Sequence, residues 1–234
     1  MENWENLSSI LDKAKEDSDR KNFLNNLLIE EASKGLKENV KKILQAGANP
    51  NCAKEKYSPL IASLEGDFMD VTDYLFKVGA LPSYKAHENF EDAVWFAMLN
   101  NKYVPLRKFV KSRCQLNRHP ITKKTLLGLS TDTSNLELVY IFLSHPHIKV
   151  NERDGSGNTA LHYNMAKVEM SQDDVEIGRL LLAAGADSNI PNNEGKTPQQ
   201  LGATAGEALI LENELENEIP VNPTPTKPNR VLKF

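Results

Sequence analysis

Cys114 follows Arg113 directly, lies three residues beyond Lys111, and has His119 five residues further on. Cations beside a thiol favour the thiolate, and a Cys–His pair is the core of a nucleophilic site. Such a site also needs an orienting group and an oxyanion cradle, and nothing near this pair in the sequence supplies them. His145-Pro146-His147 sets two imidazoles one proline apart, with no cysteine nearby and no third ligand in register. That is poor zinc spacing, and a histidine at a helix C-terminus is favoured by the dipole alone. The stretch Asn151 to Asn158 is spaced like a calcium loop, but its twelfth position is His162 rather than a bidentate glutamate; it reads as a hairpin turn. No phosphate loop, His-Glu-x-x-His pair or Gly-x-Ser-x-Gly elbow occurs. The expectation is a protein that is not an enzyme, with no metal and no cofactor.

The elements that carry these residues recur. Equivalent segments start at Asn26, Ser58, Glu91, Thr125, Thr159 and Thr197, at intervals of 32 to 38 residues. A period near 33 is that of a helical-pair solenoid. Ser or Thr at 58, 125, 159 and 197 is placed to cap a helix start. Pro59 and Pro198 fit a first helical turn, and Gly47, Gly79 and Gly185 fit left-handed helix stops. Repeats are placed at 25–57, 58–90, 91–124, 125–158 and 159–196, with a partial one at 197–215. Leu7, Ile10, Leu11 and Ala14 predict a capping helix within 1–24. Repeat three has Arg113-Cys114 where its neighbours have Gly-Ala, and repeat five carries extra residues near Glu169 to Asp174.

The frame Asn158-Thr159-Ala160-Leu161-His162, then Gly185-Ala186-Asp187-Ser188-Asn189, then Gly195-Lys196-Thr197-Pro198, resembles the ankyrin repeat family. The resemblance runs from about 25 to 215 and is weakest in repeat three. It implies an all-α solenoid of stacked helix pairs joined by short β-hairpin-like loops, with capping helices at both ends. It implies a concave interaction face and no reaction. It also implies that His162 ties its helix to the adjoining turn, while Ile29, Ile61, Val94, Gly128 and Gln200 at the equivalent positions leave the other repeats to packing. The function expected is a non-catalytic protein–protein interaction scaffold.

Charge narrows the partner. Between Ala93 and Thr131 there is no acidic residue, while Lys102, Arg107, Lys108, Lys111, Arg113, Arg118, Lys123 and Lys124 all fall there. Stacking would align the hairpin tips along one edge, adding Lys54, Lys56, Lys85, His87, His119 and Arg153, with Tyr57, Tyr84 and Phe90 among them. Such an edge fits a protein with an acidic or phosphorylated surface. The alternative is a basic-edge reader of nucleic acid or anionic phospholipid; the net charge of −4 weighs against nucleic acid.

Two cysteines in unrelated repeat positions fit a reducing, cytoplasmic setting. No apolar run approaches a membrane span, and the acidic start is not a secretory signal. A monomer is expected. At the far end Glu207, Glu212, Glu214, Glu216 and Glu218 form an acidic run, and the proline-rich tail, placed at 216–234 with its prolines from Pro220 on, closes on Arg230-Val231-Leu232-Lys233-Phe234. That arrangement resembles the C-terminal export signals of type IV secretion effectors of intracellular bacteria, which implies translocation into a host cell.

Overall fold

The computed structural model describes residues 17–54, 57–83, 92–112, 114–116, 118–119 and 122–202. These form eleven helices: α1 (Asp17–Ser33), α2 (Lys37–Gln45), α3 (Pro59–Glu65), α4 (Met69–Lys77), α5 (Ala93–Leu99), α6 (Tyr103–Lys111), α7 (Leu126–Asp132), α8 (Leu136–Leu143), α9 (Ala160–Met165), α10 (Gln172–Ala183) and α11 (Pro198–Leu201). Odd-numbered helices form an inner row and even-numbered ones an outer row. No strand occurs among the described residues, and the hairpins reduce to short backbone pairings such as Lys54 with Tyr57. The chain is an all-α solenoid.

Helix starts follow local hydrogen-bond chemistry. The Ser58 hydroxyl accepts from Ile61 N–H at 3.2 Å, Thr125 from Gly128 N–H at 2.9 Å, and Thr197 from Gln200 N–H at 3.3 Å. Each satisfies a donor that the first turn leaves free. Repeat three starts one residue later than its sequence frame. Its cap is Asp92, whose carboxylate accepts from both Val94 and Trp95 N–H.

Helix stops repeat as strictly. Inner helices end in a left-handed residue, Gly35 (φ 71°), Asp67 (58°), Asn101 (55°) and Ser134 (54°). The next N–H then bonds five residues back, as in Leu36 to Glu31 and Lys102 to Ala97. Glycine is obligatory at 35 for a second reason: a Cβ there would come within 2.3 Å of the Phe68 ring. Outer helices α2, α4 and α10 stop at Gly47, Gly79 and Gly185, with φ of 105°, 100° and 90°. Arg113, the expected non-glycine stop of repeat three, is outside the described residues.

Packing runs along both rows, α1 on α3 on α5 and α7 on α9 on α11 inside, α2 through α10 outside. Leu28, Val40, Ile43, Leu75, Val94, Leu106, Val139, Phe142, Leu161 and Leu181 are buried between repeats. Burying each such side chain stabilises by ~1.5–3 kcal/mol. Polar clasps reinforce two junctions. Asn51 donates to the Gly79 carbonyl and accepts from Leu81 N–H, at 3.0 and 2.7 Å. Asn151 does the same to Gly185 and Asp187, both at 2.8 Å.

At the N-terminal end α1 is continuous, so the boundary drawn at residue 24 falls inside a helix that buries Leu24 and Leu28 together. The apolar residues at 7–14, the continuation of the last repeat beyond 202, the acidic run and the proline-rich tail lie outside the described residues.

Candidate functional site

Three hairpin tips, at 119–124, 154–158 and 192–196, form a row. Backbone pairing closes tips at 54–57, 119–124, 154–158 and 192–196. Successive tips touch. A Cβ on Gly155 would lie 2.9 Å from Lys123 Cβ, so Lys123 rests on the next tip. Asn193 N–H donates to Ser156 carbonyl at 3.1 Å, Asn193 Nδ2 to Gly155 carbonyl at 3.1 Å, and Asn192 Nδ2 to Asn158 Oδ1 at 2.9 Å. Asp154, buried, accepts from Ser156 and Asn158 N–H and from the Tyr163 hydroxyl. Its carboxylate is consumed by the turn, which is why the calcium-like spacing is a hairpin. Tyr163 is held above its ordinary pKa by burial and by that carboxylate.

Five cations of the basic stretch are paired, with partners on both sides. Lys102 pairs with Asp67, and Lys108 with Asp73 at 2.6 Å, both on repeat two. Arg107 pairs with Glu137, Arg118 with Glu152 at 3.0 Å, and Lys124 with Asp132 at 2.7 Å, all on repeat four. A repeat with no acid after Asp92 thus sits between repeats that supply them. Exposed pairs of this kind contribute ~0–1 kcal/mol each, so they set alignment more than stability.

Of the residues expected on the edge, Lys54 is exposed, and Tyr57 is half-buried with its hydroxyl 3.4 Å from Glu65. His119 packs edge-on against Trp95 at 4.9 Å between centroids and accepts from Thr122 N–H. Lys124 also lies over the Tyr163 ring at 4.7 Å. Arg153 donates to the Gly157 carbonyl and to Asn193. Lys56, Tyr84, Lys85, His87 and Phe90 are outside the described residues.

The chemical candidates have structural roles. Cys114 does not have the lowered pKa that its cationic neighbours suggested: burial, with the charge of Asp92, pushes it up to about 12. His145 Nδ1 accepts from His147 N–H, which leaves Nε2–H to bond the Cys114 carbonyl at 3.0 Å. It ties repeat four to repeat three. His162 Nδ1 accepts from Thr159 N–H at 3.0 Å, and its Nε2 bonds the Lys196 carbonyl of the next tip at 3.2 Å. Among the described residues no cluster of three or more His, Cys, Asp or Glu could hold a metal, and no helix is long and apolar enough to cross a membrane.

Sequence reasoning missed one polar centre. Lys167 Nζ donates to the Thr131 carbonyl at 2.9 Å, to Ser134 Oγ at 2.6 Å and to Asp174. The two charged side chains are 16% and 5% exposed. Burial would raise the Asp174 pKa, but bonds from Lys167, Ser171 and Ser134 outweigh it and hold it at about 2. The extra residues of repeat five are therefore pinned to repeat four. A lysine two residues before an extra acidic segment was the only signal available.

The comparisons agree with this architecture. The ankyrin repeat family profile matches residues 156–193. The human NF-kappa-B inhibitor zeta is 36% identical over 80 residues, which is 33% of this chain and 11% of that protein's length. A crystal structure of an ankyrin repeat domain from Acinetobacter baumannii superposes with a TM-score of 0.68 at 22% identity, over 82% of this chain and 97% of that one. The ankyrin repeat protein EF0377 gives 0.66 at 19% identity, over 82% and 98%. Residues 156–193 are an ankyrin repeat, and the chain has the fold of ankyrin repeat proteins.

Proposed function

We propose that the chain is a non-catalytic scaffold that binds a protein partner across its concave face, with the hairpin tips as the rim and an acidic or phosphorylated partner segment as the occupant. The observation that carries the reading is the row of mutually touching tips from 118 to 196. A rim already fixed before binding loses little conformational entropy when a partner docks. Lys54 adds an exposed ammonium, and Arg118 and Arg153 keep N–H donors beyond those spent on Glu152 and Asn193. Repeats two to four would hold the anchoring side chains. The internal pairing of five cations from the basic stretch weighs toward a protein surface over a polyanion.

The test is affinity capture followed by titration with the captured partner. The double change Lys54→Glu and Lys123→Glu spares the Lys124–Asp132 pair and should weaken binding about tenfold or more, with an unaltered melting curve. Equal affinity in the variant removes the tip row. Tight binding of a single-stranded oligonucleotide or of phosphatidylserine vesicles, falling steeply with salt, would favour the polyanion reader instead.

A further inference from the structure

In each of the three touching tips the opening residue also pins the turn. Its N–H bonds the carbonyl that closes the tip: His119 to Lys124 at 2.9 Å, Asp154 to Asn158 at 2.9 Å, and Asn192 to Lys196 at 2.8 Å. Its side chain then accepts from N–H groups inside the turn. Asp154 Oδ1 takes Ser156 and Asn158 at 2.8 and 2.9 Å, and Asn192 Oδ1 takes Glu194 and Lys196, both at 3.0 Å. At 119 the acceptor is an imidazole, whose Nδ1 takes Thr122 N–H at 3.1 Å. A carboxylate and an amide keep their lone pairs between about pH 5 and 8, whereas histidine is the side chain that changes charge there. An imidazolium carries N–H at both nitrogens, so a protonated His119 has nothing with which to accept from Thr122.

That bond helps to hold a strained residue. Lys123 is left-handed, φ 56°, two residues before its cap Thr125; Gly157 and Gly195 fill the same place before Thr159 and Thr197, with φ of 79° and 78°. A Cβ makes this conformation unfavourable. Lys123 is also the residue that rests on Gly155, the first link of the row. Lys124 N–H to Thr122 Oγ1, at 3.4 Å, is a longer bond within the same turn. The His119 ring is half-buried against Trp95, within reach of water. His145 and His162 also accept N–H at Nδ1, but both are buried, 7% and 1% exposed. The charges around the ring are of both signs. Asp92 caps α5 beside Trp95, Glu152 holds Arg118, and Asp132 holds Lys124. Lys123, the Cys114 thiol near Asp92, and Lys149 beside Glu152 add to them, with Arg153 and Asp154 on the next tip.

We infer that the tip opened by His119 is a proton-operated catch in the rim. With His119 neutral, the turn is pinned and Lys123 bears on Gly155. With His119 protonated, Thr122 N–H is released, Lys123 leaves its left-handed conformation, and the row loses its link to the tip at 154–158. The regulatory meaning rests on the reading of the tips as a partner-binding rim. The imidazolium adds one cation, but at a wetted surface its field is screened by salt. An unpinned tip must be ordered again when a partner docks, so acid should weaken partner binding.

Amide hydrogen exchange of the full chain, read residue by residue by NMR and corrected for the intrinsic pH dependence of exchange, tests the catch without any partner. Protection of Thr122 N–H should fall at least about tenfold between pH 7.5 and 5.5. Ser156 and Glu194 N–H, pinned by Asp154 and Asn192, should stay level. His119→Asn offers an amide oxygen near the place of Nδ1 and does not titrate, so its Thr122 protection should be the same at both pH values. A melting curve checks that the variant folds; if it does not, the contrast between Thr122 and Ser156 in the parent decides. A Thr122 amide equally protected at both pH values overturns the catch, as does an equal fall at Ser156 and Glu194 or in His119→Asn. A catch that works in a chain that captures no protein would stand while the rim reading fell, and a flat Thr122 profile would do the reverse.

Discussion

Repeats three and five solve one packing problem with different materials. Repeat five is held by polar ties: Thr159 and His162 to the Lys196 carbonyl, Asn151 to Gly185 and Asp187, and Lys167 to Thr131, Ser134 and Asp174. Repeat three, capped at Asp92 and not at residue 91, has Trp95 where His162 stands, in place of the Val94 of the sequence frame. It relies on bulk, with Trp95 and Phe109 fully buried and Phe109 edge-on to Phe76 at 5.4 Å, and on cations reaching outward to both neighbours. The family profile matches 156–193, which holds Thr159, His162, Lys167 and Asp174. The difference teaches that the same stacking is reached through polar ties in one repeat and through side-chain volume in another.

If bulk holds repeat three, truncating it should be the most damaging single change. Trp95→Ala should cost ~3–5 kcal/mol, and Leu161→Ala, in the tied repeat, ~2–5 kcal/mol. Urea titrations of both variants compare them directly. A Trp95→Ala loss smaller than that of Leu161→Ala would mean that repeat three is not carried by its large side chains.

The ammonium of Lys167 is the strongest polar tie. Lys167→Met strands the Asp174 carboxylate, 5% exposed, and should cost about 3 kcal/mol. Adding Asp174→Asn should restore part of it. Because Asp174 is held at about 2, below its ordinary 3.8, its contribution is complete above pH 3.8 and disappears as pH falls through 2. Acid unfolding of Lys167→Met should lack that window.

What the sequence made legible was local. Ser58, Thr125 and Thr197 cap helices through bonds spanning three residues, and Gly47, Gly79 and Gly185 stop them through φ values that only glycine adopts freely. Cross-repeat chemistry was not legible. Lys108 meets Asp73 and Arg118 meets Glu152 across 35 and 34 residues. Those meetings need the stacking register and the side-chain rotamers, which no window of adjacent residues contains. The stops at Asp67, Asn101 and Ser134 escaped because a short polar residue in the left-handed region looks like any surface position.

A smaller effect should separate the repeats by pH. Burial holds His162 below its ordinary pKa of 6.5 against the Lys196 bond, with Arg153 and Asp154 the nearest charges. The folded chain therefore binds that proton less readily than the unfolded one. Stability from neutral His162 is complete above pH 6.5 and is lost as pH falls through the lower folded value. Melting temperatures between pH 5 and 7.5 should decline more steeply for the parent than for His162→Gln. Parallel curves would mean that protonation leaves the tie intact.

The smallest effect belongs to the outward cations of repeat three. Arg107 and Glu137 are 52% and 41% exposed, so water screens their attraction. A double-mutant cycle with Arg107→Ala and Glu137→Ala should give a coupling of ~0–1 kcal/mol that fades by 1 M salt, where the screening length falls to about 3 Å. A coupling well above that, unaffected by salt, would place repeat three among the polar-tied repeats and erase its contrast with repeat five. A weak one leaves these pairs the role of alignment. Each of the wrong registers that an apolar stack could adopt would set the cations of repeat three away from Asp67, Asp73, Glu137 and Glu152.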